Sequence, residues 1–270
     1  MPPDLSIIIV SWNVRDYLAA VLQQLSAATH PLRAEVIVID NASADGSAGM
    51  VRSDFPEVTL IENRENVGFA RASNQGIAAA QGRCLLLLNP DTLLPSGAIA
   101  RLVDLLETAA DIGAVGPRLL LPDGAPQPRT FGHDPRPRWL IRMGIERLLA
   151  RPHAVALAND LARPVDWVSG ACLLLRRQAI AQVGSLDETI FLYFEDNDLC
   201  LRLRRAGWQV WYQPQVTITH IGGQSTRHNP AAGAAYRQSL RYFYRKHYGP
   251  AANLFLRLAL SLYARLTRGT

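Results

Sequence analysis

The chain has 270 residues, 49% of them hydrophobic, and a formal net charge of +5. That apolar content excludes a disordered chain, and three widely spaced cysteines (Cys84, Cys172, Cys200) argue against a disulfide framework or a zinc cluster and for a reducing compartment. The charge is uneven: residues 199–270 hold eleven Lys and Arg and no Asp or Glu, unlike the uniform basic coat of a nucleic-acid binder.

The first residues lack the basic segment and apolar core of a signal peptide. No uncharged apolar run reaches the roughly 18 residues of a membrane span, so a cytoplasmic placement is expected. From there strand and helix alternate. Residues 6–10 (Ser-Ile-Ile-Ile-Val) are a continuous apolar run, the mark of a strand buried on both faces. Residues 16–28 read as a helix with Leu18, Val21, Leu22 and Leu25 on one face. A second buried strand at 35–39 ends in Asp40-Asn41-Ala42-Ser43, where Ser43 or Asp45 is suited to cap the next short helix. A third strand follows at 58–61, and Asn66-Val67-Gly68 leads into a helix to about Gln81. A fourth strand at 84–88 ends at Asn89-Pro90-Asp91; residues 95–109 are helical, and strand character resumes at 113–117. The expected fold class is α/β, with a mostly parallel sheet covered by helices on both faces. Ligands bind such sheets beyond the carboxyl ends of the strands. Three polar clusters fall there: Ser11-Trp12-Asn13, Asp40-Asn41 and Asn89-Pro90-Asp91.

Residues 122–165 carry seven prolines and read as a long excursion, a lid or substrate-binding segment. Order returns at 167–175, followed by a turn at 184–187 and then Phe194-Glu195-Asp196-Asn197-Asp198 at the head of a basic helix to Arg205. Short strands are expected at 209–212 and 216–219, then His220, then two helices at about 234–248 and 251–267.

Six motifs stand in a telling order: Ser6-Ile-Ile-Ile-Val-Ser-Trp-Asn13, Val38-Ile-Asp-Asn-Ala-Ser43, Asn66-Val-Gly-Phe-Ala-Arg-Ala-Ser-Asn74, Leu88-Asn-Pro-Asp91, Phe194-Glu-Asp-Asn-Asp-Leu-Cys200 and His220-Ile-Gly-Gly. Together they resemble the family 2 glycosyltransferases of GT-A fold, in particular the rhamnosyltransferase-like branch that builds bacterial surface polysaccharides. The resemblance covers about residues 5–225. It implies inverting transfer of a sugar from a nucleotide diphosphate donor, with dTDP-rhamnose or another UDP or dTDP sugar as donor and a lipid-linked or polysaccharide glycan as acceptor. It also implies a GT-A domain over 1–233, with a nucleotide-sugar half to about 120 and an acceptor half to 233, and a helical tail at 234–270.

On that frame the residues take roles. Asp40 ends a buried strand, where a carboxylate is able to accept the imide N–H of uracil or thymine; the plain alternative is a turn cap. Gly68 permits close approach or positive φ. The resemblance brings Arg71 and Asn74 to the nucleoside or diphosphate, beside Ser11, Asn13 and Asn89. It sets Asn89-Pro90-Asp91 in the place of the Asp-x-Asp metal motif, with Asn where the first Asp belongs, so Asp91 is the expected ligand of Mg²⁺ or Mn²⁺ and His220 the second. Attack by a sugar hydroxyl needs a carboxylate to take its proton. The Glu-Asp motif points to Asp196, with Glu195 beside it, while the same acids are also suited to cap the helix. Trp167, Gly170 and Asp198 are assigned to the acceptor.

In the tail, Arg257, Ser261, Arg265 and Arg268 share a narrow sector, and upstream Tyr236, Arg237, Arg241, Tyr242, Tyr244, Arg245, Lys246 and Tyr248 mix rings and cations. A membrane surface on the inner face of the cell membrane suits this pattern; docking on the catalytic domain or on a second subunit, as a homodimer, is the alternative. No nucleic-acid motif accompanies the charge. A nucleotidyltransferase needs a Gly-rich basic loop where Ser11-Trp12-Asn13 stands, a non-catalytic scaffold would lack Asp91, Asp196 or His220, and no Gly-x-Gly-x-x-Gly supports a dinucleotide.

Overall fold

The computed structural model describes residues 2–137, 161–222 and 232–267, with backbone alone at 232 and 260–267. Most of the proline-rich excursion, Gly223 and the side chains of Ser261, Arg265 and Arg268 lie outside the described residues. The first half runs β1 (Leu5–Ser11), α1 (Arg15–Thr29), β2 (Ala34–Asp40), α2 (Ser47–Asp54), β3 (Thr59–Glu62), α3 (Phe69–Ala79), β4 (Cys84–Leu88), β5 (Thr92–Leu93), α4 (Ala98–Thr108) and β6 (Ile112–Leu120). The second half runs β7 (Phe131–Gly132), β8 (Arg163–Pro164), β9 (Trp167–Val168), β10 (Cys172–Arg176), α5 (Arg177–Val183), α6 (Glu195–Arg205), β11 (Gln209–His220) and α7 (Ala232–Thr267).

Alternation along the strands divides the core between the two faces. Ile7 and Ile9 of β1 join Leu86 and Leu88 of β4 beneath α1 and α4, where Leu18, Val21, Leu102 and Leu106 are buried. Ile8, Leu85 and Leu87 face the other way, onto α3, α5 and α6 through Ala72, Ile180, Leu199 and Leu203. Such strands accept apolar side chains at every position, hence the unbroken runs.

The sheet order is β3-β2-β1-β4-β10-β6-β11-β5, with β8 on β11. The pairs β1–β2, β1–β4, β2–β3 and β6–β11 are parallel. β10 is antiparallel to both β4 and β6 and separates them. The alternating pattern of the first half does not foresee this insertion. Cys172, Leu173, Leu174 and Leu175 are all fully buried, as suits a strand at the centre of a sheet. The two short strands expected at 209–219 form one, β11, whose register slips between Gln213 and Thr217, around Pro214; proline is tolerated at such an irregularity.

α7 is two helical limbs joined at Gly249, whose φ of 79° and ψ of −179° are not helical and which Pro250 follows. The first limb buries Leu240, Phe243 and Tyr244 against Phe194 and Leu201, and Leu256 of the second limb reaches the same cluster. Both limbs therefore dock on the α6 side of the sheet. Among the described residues no helix is long and apolar enough to cross a membrane.

α3 lies unusually close to the sheet. A Cβ on Gly76 would come 2.4 Å from Ile8 Cγ2 and 2.8 Å from Ile39 Cδ1. On an open helix Gly→Ala gains about 1 kcal/mol. Here overpacking of about 1–3 kcal/mol opposes that gain, so Gly76→Ala is expected to lower stability, read as a drop in the urea midpoint at unchanged slope.

Candidate active site

The strand ends bring the first polar clusters together. Ser11 and Asp40 are register partners at the carboxyl ends of β1 and β2, and both are buried. Asp40 Oδ2 accepts the Ser43 N–H at 3.0 Å, the turn-capping role. Its Oδ1 has no partner, and neither does Ser11 Oγ. Buried polar atoms are rarely left unpaired, and these two are able to take a further partner at the strand ends. Asn13, at a φ of 53°, closes the edge: its N–H meets Ser43 Oγ at 3.0 Å and its Oδ1 accepts the Ala44 N–H at 2.7 Å. Neither Ser43 nor Asp45 caps α2 from the N-cap position, which Gly46 occupies. Asp45 Oδ1 instead accepts the Ser47 N–H at 3.0 Å, and its Oδ2 accepts the N–H of Arg15 at 2.8 Å.

Asn41 is the residue that sequence reasoning undervalued. It is 2% exposed. Its Nδ2 donates to Asn66 Oδ1 at 2.8 Å, and its Oδ1 accepts from Asn63 Nδ2 and from the Val67 N–H, both at 3.1 Å. These bonds fix the loop into α3, where Gly68 adopts a φ of 85° and a Cβ would meet the Phe191 ring at 2.7 Å. Its signal in the sequence is the density of amides at 41, 63, 66 and 75. Asn74 and Arg71 face another way. Asn74 Nδ2 and Oδ1 hold the backbone of Leu186 at 2.9 and 3.0 Å, and the exposed Arg71 lies 4.0 Å from Glu188.

Asn89, Asp91 and His220 do converge. β5 and β11 pair Thr92 with His220, setting His220 Nε2 3.3 Å from Asp91 Oδ1 and 3.1 Å from Asn89 Nδ2. Gln127 Oε1, an acceptor, lies 3.0 Å from His220 Nδ1. A neutral ring with its proton on Nδ1 would suit both Gln127 Oε1 and the Asn89 amide, and its Nε2 lone pair would then face a carboxylate oxygen. Two electron-rich atoms in that arrangement fit a shared cation. Among the described residues no cluster of three or more His, Cys, Asp or Glu exists, so Asp91 and His220 are the pair that could ligate an ion at this edge.

The three acids of α6 occupy three different environments. Two consecutive non-glycine residues in left-handed conformation, Tyr193 and Phe194 (φ 67° and 71°), lead into the helix, an arrangement that must be held by its surroundings. α7 holds it: Tyr236 packs on both rings at 5.7 and 5.2 Å, Phe243 on Phe194 at 5.6 Å, and Ser239 Oγ donates to the Leu192 carbonyl at 2.8 Å. Glu195 is 7% exposed, and its Oε2 has no partner. Burial, and then the neighbouring Asp196, push its pKa up to about 8. Asp196 is half-buried; its Oδ2 accepts the Gly170 N–H at 3.0 Å and its Oδ1 the Asn197 N–H at 2.7 Å. Burial raises its pKa too, but those N–H groups oppose the rise. The pair titrates together, and burial raises both members above the ordinary carboxylate range.

Asp198 is wholly buried, in an ion cluster: Arg202 Nε at 2.8 Å, Lys246 Nζ at 2.6 Å and His247 Nε2 at 2.6 Å. Burial alone would raise its pKa, but His247, Lys246 and Arg202 hold it below the ordinary 3.8. Lys246, the chain's one lysine, also reaches Asp187 Oδ2 at 2.7 Å. Of the residues assigned to the acceptor, Gly170 touches Asp196 directly. Trp167 lies apart: its indole N–H donates to the His133 carbonyl at 3.2 Å.

A sequence model of glycosyltransferase-like family 2 matches residues 2–244. The chain belongs to that family. The glycosyltransferase is 32% identical to an N-acetylglucosaminyl-diphospho-decaprenol L-rhamnosyltransferase of Mycobacterium tuberculosis, over 89% of this chain and 83% of that one. It is 27% identical to a low-salt glycan biosynthesis hexosyltransferase of Haloferax volcanii, over 82% of this chain and 68% of that one. Its fold is shared with a mannosyltransferase from Pyrobaculum calidifontis solved with GDP-Man and Mn²⁺ (TM-score 0.60, 19% identity, 98% of this chain and 76% of that one). The same holds for GalNAc-T7 solved with UDP, GalNAc and Mn²⁺ (TM-score 0.60, 15% identity, 81% and 44%). The architecture is GT-A, as expected from the motifs.

Removing one member of a buried ion cluster costs about 3–5 kcal/mol, so Asp198→Ala is expected to lower the melting temperature sharply and to expose α7 to limited proteolysis first. Because the folded pKa of Asp198 is depressed, its contribution is complete above the ordinary value and drains as pH falls through the folded one. The glycosyltransferase should therefore lose part of its stability below about pH 4, and the Ala variant should lack that component of the acid transition.

Proposed function

We propose that the chain is an inverting enzyme that moves a sugar, rhamnose from dTDP-rhamnose or the sugar of another UDP or dTDP donor, to a lipid-linked glycan at the cytoplasmic face of a membrane. The observation that carries the reading is Asp196: a half-buried carboxylate held by the N–H groups of Gly170 and Asn197, with Glu195 beside it, at the sheet edge that also carries an unpaired Asp40 oxygen. The likeness to the mycobacterial rhamnosyltransferase supports the choice of sugar and of a lipid diphosphate acceptor.

In this reading Asp40 Oδ1 accepts the imide N–H of the base and Ser11 Oγ pairs with the nucleoside. The Gly68 turn admits the donor close to the backbone. Asp91 and His220 would hold Mn²⁺ or Mg²⁺, and the ion when bound neutralises charge on the departing diphosphate. Asp196 takes the proton of the acceptor hydroxyl as that oxygen attacks the anomeric carbon. Gly170 and Asn197 orient its carboxylate while each oxygen keeps a free lone pair. One base suffices for a single displacement, whereas a retaining glycosidase needs a second carboxylate as nucleophile. Asp198 anchors the helix.

Asp196→Asn is expected to lower transfer by about 10²–10⁴-fold with donor affinity nearly unchanged, measured by nucleotide release and by donor titration; full activity would remove Asp196 as base. Because burial raises the Asp196 pKa, the acid limb of the kcat/KM profile should lie above the ordinary 3.8, rising with pH. EDTA should stop transfer and Mn²⁺ restore it in wild type but not in Asp91→Ala; transfer indifferent to EDTA would overturn the metal roles.

A further inference from the structure

A cavity that belongs to none of these roles lies along α7, with a volume of about 660 Å³. Arg237, Arg241, Arg245 and Arg257 line it, with Phe191 and Asn253, and no acidic residue does. We propose that this groove binds the diphosphate of an isoprenyl-diphosphate acceptor, a subsite that deepens the lipid-acceptor reading above and rests on it.

Four observations support the assignment. First, the cations have no acidic partner among the described residues, and Arg245 lies over the Tyr242 ring at 5.5 Å. Arg237, Arg241 and Arg245 stand at i, i+4 and i+8, a spacing at which like charges repel and destabilise the helix. Among the described residues none of the four has a carboxylate within ion-pair distance. The acids of the neighbouring loop are held elsewhere, Asp187 by Lys246 and Tyr242 and Glu188 by Arg71 and Asn74. Guanidinium groups gathered without an anion suit phosphate oxygens, to which they bond in pairs.

Second, the groove is made by the fold and is not a flat basic face. The left-handed turn at Gly249 sends the second limb of α7 away from the first limb's axis, so that Arg257 and Asn253 line the same cavity as the arginines of the first limb. The buried Asn253 amide oxygen has no partner, and rotation of that amide offers an N–H to an anion.

Third, the second limb also exposes a lipid-like surface. Leu254, Phe255 and Leu258 are 56%, 36% and 63% exposed. A phosphate site beside bare apolar side chains suits a molecule with a polar head and a hydrocarbon tail better than a free nucleotide.

Fourth, the groove adjoins the chemistry. Phe191 forms part of its wall, and the Phe191 carbonyl accepts the Phe69 N–H at 3.0 Å. A Cβ on Gly170 would lie 3.7 Å from the Phe69 ring and 3.8 Å from Asp196 Cβ. An acceptor whose diphosphate rests among the arginines therefore has its first sugar directed along Phe191 and Phe69 toward Asp196.

The test is equilibrium binding of farnesyl diphosphate, a soluble isoprenyl diphosphate, in EDTA with excess UDP and dTDP to occupy the donor side. Farnesol and phosphatidylglycerol vesicles serve as the two comparison probes. Wild type should bind farnesyl diphosphate saturably and farnesol far more weakly. The double variant Arg237→Gln/Arg241→Gln should bind the diphosphate about ten-fold or more weakly, with a smaller loss on the vesicles. Arg237→Lys/Arg241→Lys, which keeps the charge but loses the paired bonds, should fall between wild type and the Gln variant. The proposal falls if the Gln variant binds farnesyl diphosphate like wild type, or if the Lys variant loses as much as the Gln variant. It also falls if binding to vesicles drops by the same factor, which would make the arginines a general headgroup surface. No donor takes part in the measurement, so a wrong sugar leaves the result untouched. An enzyme that transfers rhamnose yet prefers farnesol to farnesyl diphosphate overturns the subsite alone.

Discussion

A strand covered on both faces has no room for an unpaired polar side chain until it ends, and that constraint organises the molecule. In β1 and β4 each position from Leu5 to Ile9 and from Cys84 to Leu88 is buried; the one polar side chain among them, Ser6, is paired with Glu35 and the Gly82 N–H, and an unpaired polar group there would be desolvated at a cost. The parallel strands all run the same way, so the polar residues at their ends, Ser11, Asp40 and Asn89, collect on one edge. The unpaired atoms on that edge, Ser11 Oγ and Asp40 Oδ1, are the counterpart of its completeness elsewhere. The surrounding amides of Asn41, Asn63, Asn66 and Gln75 satisfy one another and leave only those two open.

The second half of the site follows a different rule, the division of roles among adjacent carboxylates by environment. Glu195, Asp196 and Asp198 share one helical turn but meet different neighbours. Asp198 faces cations and is held ionised, Glu195 is buried with its pKa pushed up, and Asp196 receives two backbone N–H groups at a half-buried position. This arrangement depends on α7. Without its rings against Tyr193 and Phe194, nothing described here would hold two non-glycine residues in left-handed conformation at the helix head.

This also sets what was legible beforehand. The alternating elements and the strand-end clusters follow from local patterns, which is why β1, β2, β4 and their terminal residues stood out. The Asp91–His220 pairing is separated by more than a hundred residues, and only the order of family motifs hinted at it. Three features were not legible. β10 enters between β4 and β6 because sheet order is a long-range property that an apolar run does not encode. Asn74 and Arg71 turn to the 186–188 loop because a helix residue's partner depends on which loop crosses it. Gln127, which meets His220 Nδ1, sits in a proline-rich stretch with no motif around it.

The acid-free C-terminus divides in the same way. Part of its charge is internal: Arg202, Lys246 and His247 converge on Asp198, and Arg204 on Asp134 and Asp166. Those anions belong to the region before residue 199, so the acidic and basic halves of the sequence are two sides of one interface. An acid placed on α7 would compete for these cations and weaken the docking that orients Glu195 and Asp196. Among the described residues the same exclusion leaves Arg237, Arg241, Arg245 and Arg257 without a carboxylate partner. A composition that first reads as one basic tail is therefore two sets of cations, one neutralised by the catalytic domain and one that lines a groove with no described acid in it.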